Sequence, residues 1–108
     1  MPEIVSDGAS GVIITWLDLR AGNNDVYAQR LNTAGTLQWT ANGKGVAVVA
    51  GSNRYDPKIA SDEAGGAIIV WSDDLSGNSN TYVQRLNAVG TPYCITGSNF
   101  RAPTTPAI

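Results

Sequence analysis

Val12-Ile13-Ile14-Thr15-Trp16 and its counterpart in the second half of the chain, Ala67-Ile68-Ile69-Val70-Trp71, are the two stretches that decide how this chain folds. Both are short runs of apolar and β-branched side chains, which suit extended backbone, and both are bounded by Gly-bearing turns. Neither alternates apolar with polar residues, as a strand with one wet face would. An apolar run of this length predicts a strand covered on both faces. That favours sheets stacked in series, as propeller blades are, over a simple two-sheet sandwich.

Working outward, residues 2–37 align with 57–92 without a gap, with 19 identities in 36 positions. Pro2, Ser6, Asp7, Gly11, Trp16 and Tyr27 recur as Pro57, Ser61, Asp62, Gly66, Trp71 and Tyr82. The run Gln29-Arg30-Leu31-Asn32 recurs as Gln84-Arg85-Leu86-Asn87. Beyond that the copies diverge. Gly51-Ser52-Asn53 precedes Pro57 and Gly97-Ser98-Asn99 precedes Pro103, so the interval is shorter in the second copy, which lacks a segment corresponding roughly to Trp39 through Ala47. Pro106-Ala107-Ile108 is similar to the openings Pro2-Glu3-Ile4 and Pro57-Lys58-Ile59. The chain therefore divides into two repeat units, 1–55 and 56–108.

Each unit predicts four strands and no helix beyond a single turn. The first is Glu3–Ser6 (Lys58–Ser61), followed by a turn at Asp7–Gly11 (Asp62–Gly66), where Asp and Gly supply side-chain-to-backbone bonds and positive φ. The second is Val12–Leu17 (Ala67–Ser72) and the third Val26–Asn32 (Thr81–Asn87), joined through Gly22-Asn23-Asn24-Asp25 (Gly77-Asn78-Ser79-Asn80). A turn at Gly35 (Gly90) leads to a fourth strand near Thr36–Thr40 (Thr91–Ile95). Lys44–Ala50 is a further apolar stretch found in the first copy alone. Trp16 and Trp71 are expected in equivalent buried positions, and Arg30 and Arg85 in equivalent surroundings.

Composition narrows the function classes. Charged residues make up 15% of the chain, below the usual share of about a quarter, while Gly reaches 12 residues, a balance suited to short strands and tight turns. Net charge is −2 with no basic block, which sets aside a nucleic-acid partner. Histidine is absent, which removes the commonest general base and metal ligand. The single Cys94 has no partner for a disulfide within the chain and no His to activate it as a nucleophile. No apolar run is long enough to span a bilayer, and Met1-Pro2-Glu3 opens no signal-peptide pattern. No cofactor and no membrane partner are expected.

The string Pro-x-Ile-x-Ser-Asp, Gly, Ile-Ile-x-Trp-x-Asp, Tyr-x-Gln-Arg-Leu-Asn-x-x-Gly resembles a repeat of large bacterial extracellular proteins that are read as β-propellers. It is carried here by Pro2, Ile4, Ser6, Asp7, Gly11, Ile13, Ile14, Trp16, Asp18, Tyr27, Gln29, Arg30, Leu31, Asn32 and Gly35, with their partners in the second copy. The resemblance implies an all-β chain of two tandem four-stranded β-propeller blades and an extracellular setting, and it carries no general activity. Trp-x-Asp is also similar to part of the WD repeat and of the sialidase Asp-box. The Gly-His pair of the former is absent, and the residue order of the latter is not met.

Candidate functional residues fall into two groups. Asp18 and Asp73 could serve a ligand or cation at a strand end, but repetition in both copies favours a turn cap or a partner for Arg30 and Arg85. Asp18 with Asn23-Asn24-Asp25 offers oxygen ligands of the kind Ca²⁺ takes. It lacks EF-hand spacing, so a solvated turn is expected. Asp73-Asp74 are neighbours on a strand and point to opposite faces, and Asp62-Glu63 lie in a turn. Residues not shared between the copies, Arg20, Trp39, Arg54, Tyr55, Tyr93, Phe100 and Arg101, combine planar cations with aromatics, the types enriched at binding surfaces. They are set against simple divergence or contacts between subunits.

The function expected is a non-catalytic β-propeller repeat module for binding or scaffolding, with a carbohydrate or protein ligand. The alternatives are a fragment of a larger extracellular enzyme or adhesin, and an enzyme whose site is completed by oligomerisation. Two blades fall short of a ring of typically about four to eight. The expected ring is completed by oligomerisation, as a trimer of six blades or a tetramer of eight.

Overall fold

The computed structural model describes residues 2–73 and 80–93. They form two antiparallel four-stranded sheets in which each strand pairs with its neighbours in sequence. The first sheet contains β1 (Glu3–Ser6), β2 (Val12–Asp18), β3 (Asp25–Leu31) and β4 (Lys44–Ala47). The second contains β5 (Arg54–Ser61), β6 (Ala67–Asp73), β7 (Asn80–Leu86) and β8 (Pro92–Tyr93). No helix occurs among the described residues.

The turn chemistry read from the sequence sets the first hairpin of each sheet. Asp7 Oδ1 accepts the backbone N–H groups of Ala9 and Gly11 at 2.7 and 2.8 Å. Asp62 Oδ1 accepts those of Ala64 and Gly66, both at 2.8 Å. The glycine that closes each turn is required by close approach: a Cβ at Gly11 would lie 2.2 Å from the carbonyl oxygen of Leu31, and one at Gly66 would lie 2.2 Å from that of Leu86. β2 and β3 then pair from Val12↔Leu31 to Asp18↔Asp25, and β6 and β7 from Ala67↔Leu86 to Asp73↔Asn80. Trp16 stacks on Tyr27 at 6.3 Å and Trp71 on Tyr82 at 6.2 Å. At the next turn, Asn32 Oδ1 accepts Ala34 and Thr36 N–H, and Asn87 Oδ1 accepts Val89 and Thr91 N–H.

Three expectations are corrected. The fourth strand of the first sheet is not Thr36–Thr40 but Lys44–Ala47. The Gln29 side chain holds the earlier segment instead: its Oε1 accepts Trp39 N–H at 2.9 Å and its Nε2 donates to Thr40 O at 2.8 Å. Of the backbone ladder, the Leu31↔Leu37 bridge remains there, made by the Gln38 N–H to Arg30 O and Asn32 N–H to Thr36 O bonds. Secondly, β5 begins at Arg54 rather than Lys58. Its register shifts between Tyr55 and Lys58, around Asp56 at φ 50° and Pro57, which has no N–H to give the ladder.

Thirdly, β2 and β6 are not equally covered on both faces. β2 fully buries Ile13 and Thr15 and half-buries Ile14 and Trp16. β6 buries Ala67, Ile69, Trp71 and Asp73 and half-buries Ile68 and Val70. Trp16 and Trp71 therefore differ in burial, although each keeps its tyrosine. Within the described chain each sheet has one neighbouring sheet, so one face of each is closed. A single apolar core joins them: Ile13, Val26, Ala28, Trp39, Val46 and Ala47 from the first unit, and Ala67, Ile69, Trp71 and Leu86 from the second.

Candidate functional site

Two clusters of polar and aromatic side chains stand out, one buried between the sheets and one on the half-buried face of the first sheet.

The buried cluster seals the junction. Arg54 is fully buried, with its guanidinium 3.4 Å from Asp73 Oδ2 and 3.9 Å from Asp25 Oδ1 and bonded to the Ser52 hydroxyl. Its backbone N–H donates to Asn24 O at 3.0 Å, which ties the start of β5 to the β2–β3 turn. Asp25 also accepts from Asn23 Nδ2 and Val49 N–H. This corrects the solvated turn expected at Asn23-Asn24-Asp25: Asp25 is 1% exposed. At the opposite end of β3, and separate from the Arg54 group, Trp39 is buried as well, and its indole Nε1 donates to Ala88 O at 3.0 Å. Arg30 Nη1 reaches the same carbonyl at 2.9 Å while its Nε holds Asp7 Oδ2 at 3.0 Å.

The second cluster is built around Asp18. Its carboxylate takes Arg20 in a two-pronged pair, Nε to Oδ1 and Nη2 to Oδ2, both at 2.8 Å. Oδ2 also accepts Trp16 Nε1 at 3.0 Å, and Oδ1 accepts Arg20 N–H. The guanidinium lies 4.0 Å from the Tyr27 ring centroid and donates to Asn42 O at 2.6 Å. The Arg20 bonds, with the Trp16 N–H behind them, hold the Asp18 carboxyl well below the usual carboxylate range. Asp18 therefore accepts hydrogen bonds here and offers no proton. Arg20 is raised by the same pair. The result is a stack of guanidinium, phenol and indole, with its charges satisfied, beside Ile14 and the exposed Ile4. It can receive an apolar or planar surface.

Of the two structural roles expected for Asp18, the turn cap is present, its Oδ1 accepting Arg20 N–H at 2.9 Å, and the pairing of Asp18 and Asp73 with Arg30 or Arg85 is not. Arg30 pairs with Asp7, and Arg85 lies 3.5 Å from Asp62. Arg20 stands on the first sheet's face, while Trp39 and Arg54 are buried at the junction. Tyr55 is 38% exposed on β5. The Tyr93 side chain, Cys94, Phe100, Arg101 and Asp74 lie outside the described residues. The described members are thus not gathered into one site. Asp18, a candidate in the sequence for a ligand or cation, holds Arg20 instead, and Tyr27, over which the Arg20 guanidinium lies, was not among the candidates; its signal was the Asp18-x-Arg20 spacing next to a strand aromatic.

Between the turns of the two sheets an open cleft of about 350 Å³ is lined by Val5, Ser6, Gly8, Ser61 and Glu63. Among the described residues no group of three His, Cys, Asp or Glu side chains could hold a metal ion, and no helix is long and apolar enough to cross a membrane. No family model, no curated protein and no solved structure matches this chain.

Proposed function

We propose that this chain is a β-propeller-type repeat module that binds or scaffolds rather than catalyses, each sheet being one blade. The observation that carries this reading is the offset between the faces that the two sheets bury. The first sheet buries the face of Ile13 and Thr15. The second buries the face of Ile69 and Trp71, whose sequence equivalents are Ile14 and Trp16, on the opposite face of their own sheet. Two like sheets packed back to back would bury equivalent faces. Sheets stacked in series bury opposite ones, as successive blades do.

A non-catalytic role is supported by how the charged groups are used. Asp7 and Asp62 hold turns and arginines, Arg54 lies between Asp25 and Asp73, and Asp18 is committed to Arg20 and Trp16. Each of these carboxylates holds local geometry. A ring of three or four chains would supply six or eight blades, within the range that closes. Titration of the pure protein against arrays of glycans and peptides, with turnover assayed in parallel on glycan, ester and phosphate substrates, tests the reading. Binding without turnover is the expected result. Turnover abolished by a single point substitution would replace it with an enzymatic one.

A further inference from the structure

We infer that the half-buried face of the first sheet is a docking surface for a second copy of this chain, which presents to it the open face of its second sheet. This rests on the serial stacking proposed above and names the residues that continue it. The contact between the two sheets of one chain is head-to-tail, and such a contact leaves at each end the surface that the other end needs.

The accessibilities follow that rule position by position. On the docking face of the first sheet, Ile4 is 61% exposed, whereas its equivalent Ile59 packs against the core. Trp16 is half-buried where Trp71 is 2% exposed. Nothing stands within 4 Å of a Cβ built on Gly35, whereas one on Gly90 would meet Trp39. On the open face of the second sheet the inequality runs the other way. Ala60 is exposed where Val5 packs on the core, and Ile68 and Val70 are half-buried where Ile13 and Thr15 have no exposure.

The polar contacts extend in the same way. Within the chain, Arg30 crosses from the first sheet to Ala88 O in the second. Its equivalent Arg85 has a side chain 37% exposed, against 17% for Arg30. The equivalent of Ala88 in the first unit is Thr33. The assembly sets Thr33 O of the next chain at the position that Ala88 O holds within the chain. Arg20, fixed over Tyr27, forms the rim of the receiving face.

Single substitutions and their mixture test both the surface and its polarity. Ile4→Glu places a charge on the receiving face, and Ala60→Glu places one on the presenting face. Both positions are exposed, so the fold is kept, and circular dichroism checks it. Light scattering at micromolar concentration should give the wild-type chain a multiple of 11.3 kDa and each variant 11.3 kDa. Mixing the variants leaves one intact receiving face and one intact presenting face, so a dimer and nothing larger should form. A folded wild-type monomer overturns the inference without recourse to any variant, and places the exposed face against something other than a second copy. A variant that keeps the wild-type mass, or a mixture that stays monomeric, overturns the head-to-tail arrangement. Ligand binding without turnover by a monomeric wild-type chain would sink this inference while leaving the functional reading intact.

Discussion

The indole of Trp39 lies against Gly90, so close that a Cβ built on Gly90 would come within 2.9 Å of Trp39 Cγ. The contact joins the loop after β3 to the turn before β8 and closes one side of the sheet junction. Gly35, the equivalent of Gly90 in the first unit, has nearly the same backbone, φ +79° against +85°, and open space where its Cβ would stand.

That pair separates backbone strain from contact. Gly35→Ala incurs only the left-handed conformation, about 1 kcal/mol. Gly90→Ala incurs the same and also displaces Trp39, for a total of about 2–4 kcal/mol once overpacking is added. Urea denaturation of the two variants side by side, at a protein concentration low enough to keep the chain single, should show this difference. Equal costs would mean that Trp39 yields freely.

Trp39 and Arg54 also show what the sequence could and could not reveal. The repeated positions were legible because each unit solves the same local problem: Asp7 and Asp62 close turns, Gly11 and Gly66 admit a carbonyl, and Trp16 and Trp71 meet their tyrosines. Trp39 and Arg54 occur once, and so looked like ligand contacts. They occur once because the described chain has one junction between sheets, and they seal it. The fourth strand was misplaced for a related reason. Gln29 supplies by side chain the bonds that a strand at Thr36–Thr40 would have made by backbone, and a glutamine's partners cannot be read from spacing.

The two tryptophans should differ in their contribution to stability. Trp71→Ala removes a buried indole from the core and should cost about 3–5 kcal/mol. Trp16→Ala removes a half-buried one and should cost about 1–2 kcal/mol in the single chain. Denaturation at low protein concentration measures both. At high concentration the cost at Trp16 should rise toward that at Trp71 as the receiving face is covered. A Trp16 cost that does not change with concentration would count against assembly through this face.

Arg54 should matter more as a partner than as a charge. Arg54→Leu removes the cation between two buried carboxylates and should destabilise the chain by about 3–5 kcal/mol. Adding Asp25→Asn and Asp73→Asn removes the two buried carboxylates that faced the cation and should recover a large part of that loss, since buried ion clusters are often no better than neutral replacements. A triple variant as unstable as the single one would assign the effect to packing around the Arg54 stem.

Acid should weaken the fold through its turn aspartates. Asp7 lies below its ordinary pKa of 3.8, held there chiefly by the Ala9 N–H, with Gly11 N–H and Arg30 adding to it against the opposing effect of burial. At Asp62 burial pushes upward, but the Ala64 and Gly66 N–H groups and Arg85 outweigh it and the net direction is again down. A carboxyl whose pKa is lower folded than unfolded binds its proton more readily in the unfolded chain. Its contribution is therefore fully present above the unfolded value of about 4 and is lost as pH falls through the folded value. The melting temperature should be flat near neutrality and should drop below about pH 4. Asp7→Asn keeps an oxygen for the Ala9 and Gly11 N–H groups but carries no charge for Arg30, so its melting temperature should start lower and fall less steeply in acid. An Asp7→Asn curve parallel to wild type through that range would show that the acid loss originates elsewhere.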